Sequence, residues 1–226
     1  MSAKRKRAGT TAASAVFDML RHDLINGRFR AGEKLTISAL KETYEVGLTP
    51  LREALNRLAA HDLLIQENRR GFRVPTLTRE ELDDIAEMRR RLEGMALEMA
   101  LRHGDAKWES ELLAAAHRLK RADREPTAVD QWEQLHSEFH RTLVKPCRSV
   151  WLTRFIEQLH DQFDRYRRMA PPVPTIRRRL DIQHEEMVDA ALKREVKTAL
   201  SLLEEHIALS YEVAQGSCTD EIRRTA

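Results

Sequence analysis

The strongest constraint on the fold is an apolar repeat of three and four residues that runs with few breaks from Thr78 almost to the end of the chain. Thr78 followed by Glu80 and Glu81 makes a helix start. Ile85, Met88, Leu92, Met95 and Met99 then hold one face until His103-Gly104 ends the run. Further amphipathic segments fall at about 106–123, 127–146, 149–169, 174–193 and 195–214, punctuated by Pro126, Pro146, Pro171, Pro172 and Pro174. Helices of these lengths with short connections pack as antiparallel neighbours, which predicts an all-α bundle over residues 76–226. With only 8 Gly and 7 Pro and 33% charged residues, the composition also favours a helix-rich, mainly α protein over a sheet-dominated one.

The first third reads differently. After a basic tail, residues 1–10, expected to be disordered, Val16, Met19, Leu20, Leu24 and Ile25 recur at helical spacing and stop at Asn26-Gly27. A second helix is predicted over 36–45, with Thr36 as its N-cap, Ile37, Leu40 and Tyr44 on one face, and Gly47 breaking it. The third opens with Thr49 as a cap and Pro50 in the first helical position, where a missing N–H costs nothing, and runs to about Ala60. Two strand-like runs, Leu63-Leu64-Ile65-Gln66 and Phe72-Arg73-Val74, flank the turn residues Asn68-Arg69-Arg70-Gly71.

Two short helices around a Gly-containing turn, followed by a hairpin, make a winged helix-turn-helix over residues 11–75. Such a unit offers the start of its second helix to the major groove. Arg52, one turn in, is placed to hold a phosphate or the O6/N7 edge of guanine; Thr49 is placed to bond a phosphate, and Asn56 lies one turn further on the same face. Arg69 and Arg70, with Gly71 relieving the tip, suit the minor groove. Charge supports the division. Up to Pro75 there are 14 basic against 8 acidic residues, leaving 25 basic and 28 acidic of the chain's 39 and 36 for the rest.

Helix, Gly32-Glu33-Lys34-Leu35, helix, Thr49-Pro50-Leu51-Arg52-Glu53-Ala54-Leu55, Leu58, Asp62-Leu63-Leu64 and the wing Gly71-Phe72-Val74 together resemble the GntR family of bacterial regulators over about residues 11–75. The resemblance implies double-stranded operator DNA as partner, a homodimer and usually a repressor. Many members carry an arginine immediately before the Thr-Pro pair, where this chain has Leu48, so a common base contact is missing or moved.

In the helical remainder four histidines stand beside apolar stripes. His136 and His140 are one turn apart next to Trp132, Leu135, Phe139 and Leu143; His184 shares a face with Leu180, Met187 and Val188; His206 shares one with Ala199, Leu203 and Ile207. Three helices thus aim imidazoles at a common interior, an arrangement suited to a divalent transition metal or to plain core histidines. Arg89, between Ile85 and Leu92, faces the core and needs a carboxylate, either that of a ligand or an internal acid such as Glu93. Arg165 and Arg167 read as further anion contacts or as a solvated face.

This segment resembles the FCD effector domain of the FadR-like branch of GntR regulators over about residues 78–216. In that domain an Asp-x-x-x-His pair and two later histidines often bind a metal. His140, His184 and His206 match the histidines, and His136 stands where the aspartate usually is, which either shifts preference toward zinc or nickel or leaves His136 outside the ligand set. Arg89 matches the arginine of the Arg-x-x-Leu-Glu pattern that often helps bind an organic acid beside the metal, and Arg167 is carried with it as an effector contact. Trp132, the histidine in place of aspartate and the missing arginine before Thr49 look like a carbon-starvation-induced branch, which implies a dicarboxylate such as glutarate.

A metal-dependent hydrolase is the alternative from another class, but His136-Ser137-Glu138-Phe139-His140 puts serine where the His-Glu-x-x-His base would stand, so no enzyme is expected. A regulator with a purely structural histidine cluster is the third reading. Without a membrane span or a signal-peptide core, and with Cys147 and Cys218 out of metal spacing, a cytoplasmic protein with reduced thiols is expected.

Overall fold

The computed structural model describes residues 11–67, 71–124, 129–171 and 173–218. It divides into two compact units, Met1–Thr78 and Arg79–Ala226, each with its own apolar core.

In the first unit α1 (Ala12–Ile25) is capped by Thr11, whose hydroxyl accepts from the Ser14 amide at 3.2 Å. It buries Val16, Phe17, Leu20 and Leu24. Thr36 caps α2 (Ile37–Tyr44) in the same way through the Ala39 amide. In α3 (Leu48–Ala60) the positions Leu51, Ala54, Leu55 and Leu58 are wholly buried, the i, i+3, i+4, i+7 stripe of a helix that packs on one side only.

Two details of capping differ from expectation. The residue that turns the chain out of α2 is Glu45, in the left-handed region at φ 51°, and not Gly47. Gly47 is instead the extended N-cap of α3, its carbonyl accepting from the Leu51 amide at 3.2 Å. Thr49 therefore lies inside the first turn, and Pro50 one position further in, where its amide would still lack an intrahelical partner. The far end of α3 closes with Leu63 N bonded to Leu58 O and Asp62 N to Ala59 O, Asp62 being left-handed at φ 56°.

The wing strands are β2 (Ile65–Glu67) and β3 (Gly71–Arg73), and a third strand joins them, β1 (Lys34–Leu35). The order is β1-β3-β2, antiparallel throughout, with Leu35 and Gln66 both opposite Phe72. Leu63 and Leu64, expected in the strand, precede it and plug the core. Gly71 sits at φ 120°, and a Cβ there would stand 2.6 Å from the Leu35 carbonyl oxygen across the β1–β3 pair. We expect Gly71→Ala to destabilise this unit by about 1–3 kcal/mol and to lose wing pairing, read by urea melts and by amide exchange at Leu35 and Phe72. Unchanged exchange would contradict this.

The second unit has six long helices among the described residues: α4 (Arg79–His103), α5 (Ala106–Arg124), α6 (Val129–Val144), α7 (Val150–Met169), α8 (Pro174–Leu192) and α9 (Val196–Ala214). α4 packs between α7 and α9, α5 packs on α6 and α8, and α8 packs on α9. Cross-links near opposite helix ends show the antiparallel sense: Tyr166 of α7 donates to Glu81 of α4 at 2.5 Å, and Lys145 at the end of α6 reaches Glu111 of α5. No helix among the described residues is long and apolar enough to cross a membrane. Both cysteines are free, Cys147 buried and Cys218 half-buried.

Candidate metal centre and nucleic-acid interface

The buried stripe of α3 leaves Thr49, Arg52 and Asn56 exposed on its outer face, with Leu48 beside them at 46% exposure. Arg69 and Arg70, and the tail of residues 1–10, lie outside the described residues. Gly71 lies at the start of β3, where the close approach to Leu35 already accounts for a glycine.

In the second unit α6 brings His136 and His140, α8 brings His184 and α9 brings His206 to one point. One ring nitrogen from each lies within 4.8 Å of all the others. Ring centroids are 4.5 Å apart for His136 and His140, 4.6 Å for His184 and His206, and 5.0 Å for His140 and His206. The Nε2 atoms of His136 and His140 are 3.1 Å apart. His140, His184 and His206 are buried; His136 is half-buried and stacks on Trp132 at 4.7 Å.

Burial and mutual repulsion push the four imidazoles to low pKa. His184 falls to about 3, first through burial and then through the nearby Arg177 and Arg167 charges. His136, His140 and His206 also fall well below the usual imidazole range, through burial first and neighbouring histidines next. At neutral pH all four are uncharged and keep a lone pair. Among the described residues, both ring nitrogens of His184 and Nδ1 of His206 are buried with no hydrogen-bond partner. A divalent ion would take the lone pair of one nitrogen on each ring, and an all-nitrogen set fits a borderline transition metal. The residues therefore fit a divalent transition metal.

Around the cluster lies a cavity of about 10 Å³, room for one water-sized particle. Arg89 and Arg167 both line it, and each is already held by acids. Arg89 Nε donates to Glu93 Oε1 at 2.6 Å, the pair being almost wholly buried, and His160 Nε2 stands 2.9 Å from the same oxygen. Burial alone would raise the Glu93 pKa, but Arg89 and His160 hold it far below the usual carboxylate range. Arg167 donates to both oxygens of buried Glu133 and to Asp164 at 2.9 Å. Desolvation works against its charge, and the two carboxylates outweigh this and hold it firmly protonated.

Arg165 is buried beside Gln162 and does not line the cavity, so neither it nor Arg167 forms a solvated face. Sequence reasoning missed His160, Asp164, Ser137 and Ser210 around the cavity, and Glu133 as the partner of Arg167. A signal existed for His160, which follows buried Ile156 by four residues and precedes buried Phe163 by three.

Comparison with known proteins gives the context. The model of the "Bacterial regulatory proteins, gntR family" matches residues 12–74 and that of the "FCD domain" matches residues 84–209. The chain is 36% identical over 206 residues to an uncharacterized HTH-type transcriptional regulator, BphR, of Paraburkholderia xenovorans, covering 89% of this chain and 84% of that one. It is 34% identical over 204 residues to the HTH-type transcriptional repressor GlaR of Escherichia coli, covering 87% and 92%. The solved structure of E. coli McbR/YncC superposes with a TM-score of 0.80 at 23% identity, over 92% of this chain and 98% of that one, and so shares the fold. These families and relatives are regulators and not enzymes, which removes the hydrolase alternative. The chain belongs to the GntR family of bacterial transcriptional regulators, with a DNA-binding helix-turn-helix unit followed by an FCD effector domain.

Proposed function

We propose that this regulator is a repressor that binds a two-fold operator as a homodimer and responds to a small organic acid, a dicarboxylate such as glutarate, at a metal held by His136, His140, His184 and His206. The observation that carries this reading is the convergence of four imidazoles beside a cavity that His136, His140 and His206 line together with two arginines. Zinc or nickel is the metal that suits four neutral nitrogens, and it would supply a positive centre for a carboxylate. Arg89 and Arg167 supply fixed positive charge beside it. Arg89 is already paired with Glu93 and Arg167 with Glu133 and Asp164, so an incoming carboxylate redistributes existing pairs.

The 10 Å³ cavity is far smaller than any dicarboxylate. A bound acid therefore selects a wider arrangement of α4, α6, α7 and α9, and that difference in shape is what a ligand can use to shift an equilibrium. The same small cavity favours a second reading, in which the metal is purely structural. At the other end Arg52, with Thr49 and Asn56 on the exposed face of α3, reads the major groove, with Arg69 and Arg70 in the minor groove and operator specificity altered by Leu48. The relative GlaR is named a repressor, which agrees with this direction of control.

The test is footprinting of the zinc-loaded protein on DNA around its own gene. Arg52→Ala is expected to weaken protection by about 10- to 100-fold, the size of one lost bidentate contact. Glutarate or a related acid is expected to release the DNA. Protection unaffected by Arg52→Ala would overturn the groove assignment. A site insensitive to every C4 to C6 acid tested, with zinc still bound, would favour the structural reading.

A further inference from the structure

The start of α3 carries one apolar side chain that the core does not use. Leu48 is the first residue of the helix and is exposed, and it lies outside the apolar core of its unit, whereas Val46 two residues earlier packs against that core. Arg52 follows Leu48 by one turn, and Thr49 and Asn56 are exposed on the same side, opposite the buried stripe of the helix. Gly47, the N-cap, makes no side-chain capping bond that would cover the helix end. Side chains on a helix lean toward its N-terminus, so Leu48 is the foremost of these four exposed residues.

A single exposed leucine is ordinary on a protein surface, but one at the tip of a DNA-reading helix has a chemical consequence. The major-groove edges of guanine, adenine and cytosine offer hydrogen-bond donors and acceptors, and thymine alone adds a methyl group. Leucine has no polar side-chain atom. Laid against the polar edges, it would desolvate groups that it cannot pair. Laid against a thymine methyl, it and the methyl both remove apolar surface from water. Four residues of helix advance about 6 Å, a little under two base-pair steps of about 3.4 Å, so that thymine lies within about two base pairs of the pair that Arg52 meets.

Resting on the placement of α3 in the major groove proposed above, we infer that Leu48 is a specificity-determining residue that selects a thymine in each operator half-site through its C5-methyl group. The leading position of the helix reads by apolar contact, and Arg52 and Thr49 behind it by polar ones.

The experiment enriches duplexes from a random-sequence pool with the full chain. Each thymine of the enriched site is then replaced by uracil, which removes only the methyl group, and affinity is measured by fluorescence anisotropy at one fixed salt concentration. In the wild-type chain one such replacement in a half-site, within about two base pairs of the position whose base preference is lost in Arg52→Ala, is expected to weaken binding about three- to tenfold. Leu48→Ala is expected to bind the thymine and uracil duplexes equally, within about twofold, while Leu48→Met, which keeps an apolar side chain of similar size, retains the penalty. The readout is a ratio within one protein, so a change in overall affinity does not affect it. No uracil penalty at that position in the wild type, or a penalty undiminished in Leu48→Ala, would overturn the inference while leaving the groove assignment standing. Failure to enrich any sequence would overturn both.

Discussion

Adding zinc to protein stripped with a chelator is expected to raise its melting temperature by roughly 8 to 16 °C. A ligand present at about a thousandfold excess over its dissociation constant stabilises the state it binds by about 4 kcal/mol. In a domain of this size each kcal/mol is worth roughly 2–4 °C. The control that makes this decisive is His184→Leu. Both ring nitrogens of His184 are buried without partners among the described residues, so an apolar side chain of similar size removes an unsatisfied group and leaves the metal-free protein no less stable. The same change takes one nitrogen out of the set of four, so most of the zinc-induced rise disappears. A variant that still gains the full rise would show that zinc binds elsewhere. Melting curves by circular dichroism, with zinc content measured in parallel, separate the outcomes.

The metal-free protein is expected to lose stability steeply on mild acidification. His140, His184 and His206 are buried, and burial with neighbouring charge holds each folded-state pKa below the ordinary 6.5. Below about pH 6.5 the unfolded chain takes up protons at these positions and the folded chain does not, so stability falls as pH falls. With three groups the slope reaches about 4 kcal/mol per pH unit once the unfolded imidazoles are fully protonated. It continues toward the His184 value of about 3. Glu93, whose carboxyl is held low, contributes stability that is lost only further down, as pH falls below its unfolded value of 4.5, so urea melts between pH 7.5 and 5.5 isolate the histidines. A flat stability across that range would mean that the imidazoles are solvated or already charged. In the zinc-loaded protein the same protons compete with the metal, and acid releases it.

The helices were legible because burial on one side forces a period, and α4 to α9 carry it over three or more turns each. The histidines were legible for the same reason, since each stands within a turn of residues that the core swallows. What stayed hidden has no period. β1 is two residues long and becomes a strand only through its pairing with β3. Glu45, and not the glycine two residues later, takes the left-handed turn after α2, a choice decided by where α3 must start. The acids that hold the two arginines divide along the same line. Glu93 follows Arg89 by one helical turn and could be named in advance, whereas Glu133 reaches Arg167 from a different helix across 34 positions.

On the effector reading proposed above, the tightness of the histidine cavity has a bearing on how the protein would acquire its threshold. When the competent shape is a minor one, the concentration of acid that triggers a response equals the intrinsic dissociation constant divided by the fraction of molecules already open. Substitutions anywhere along the packed faces of α4, α7 and α9 that make opening easier or harder would move the trigger point up or down, with every residue that touches the acid unchanged. Relatives with identical binding groups can in this way answer to very different abundances of one metabolite.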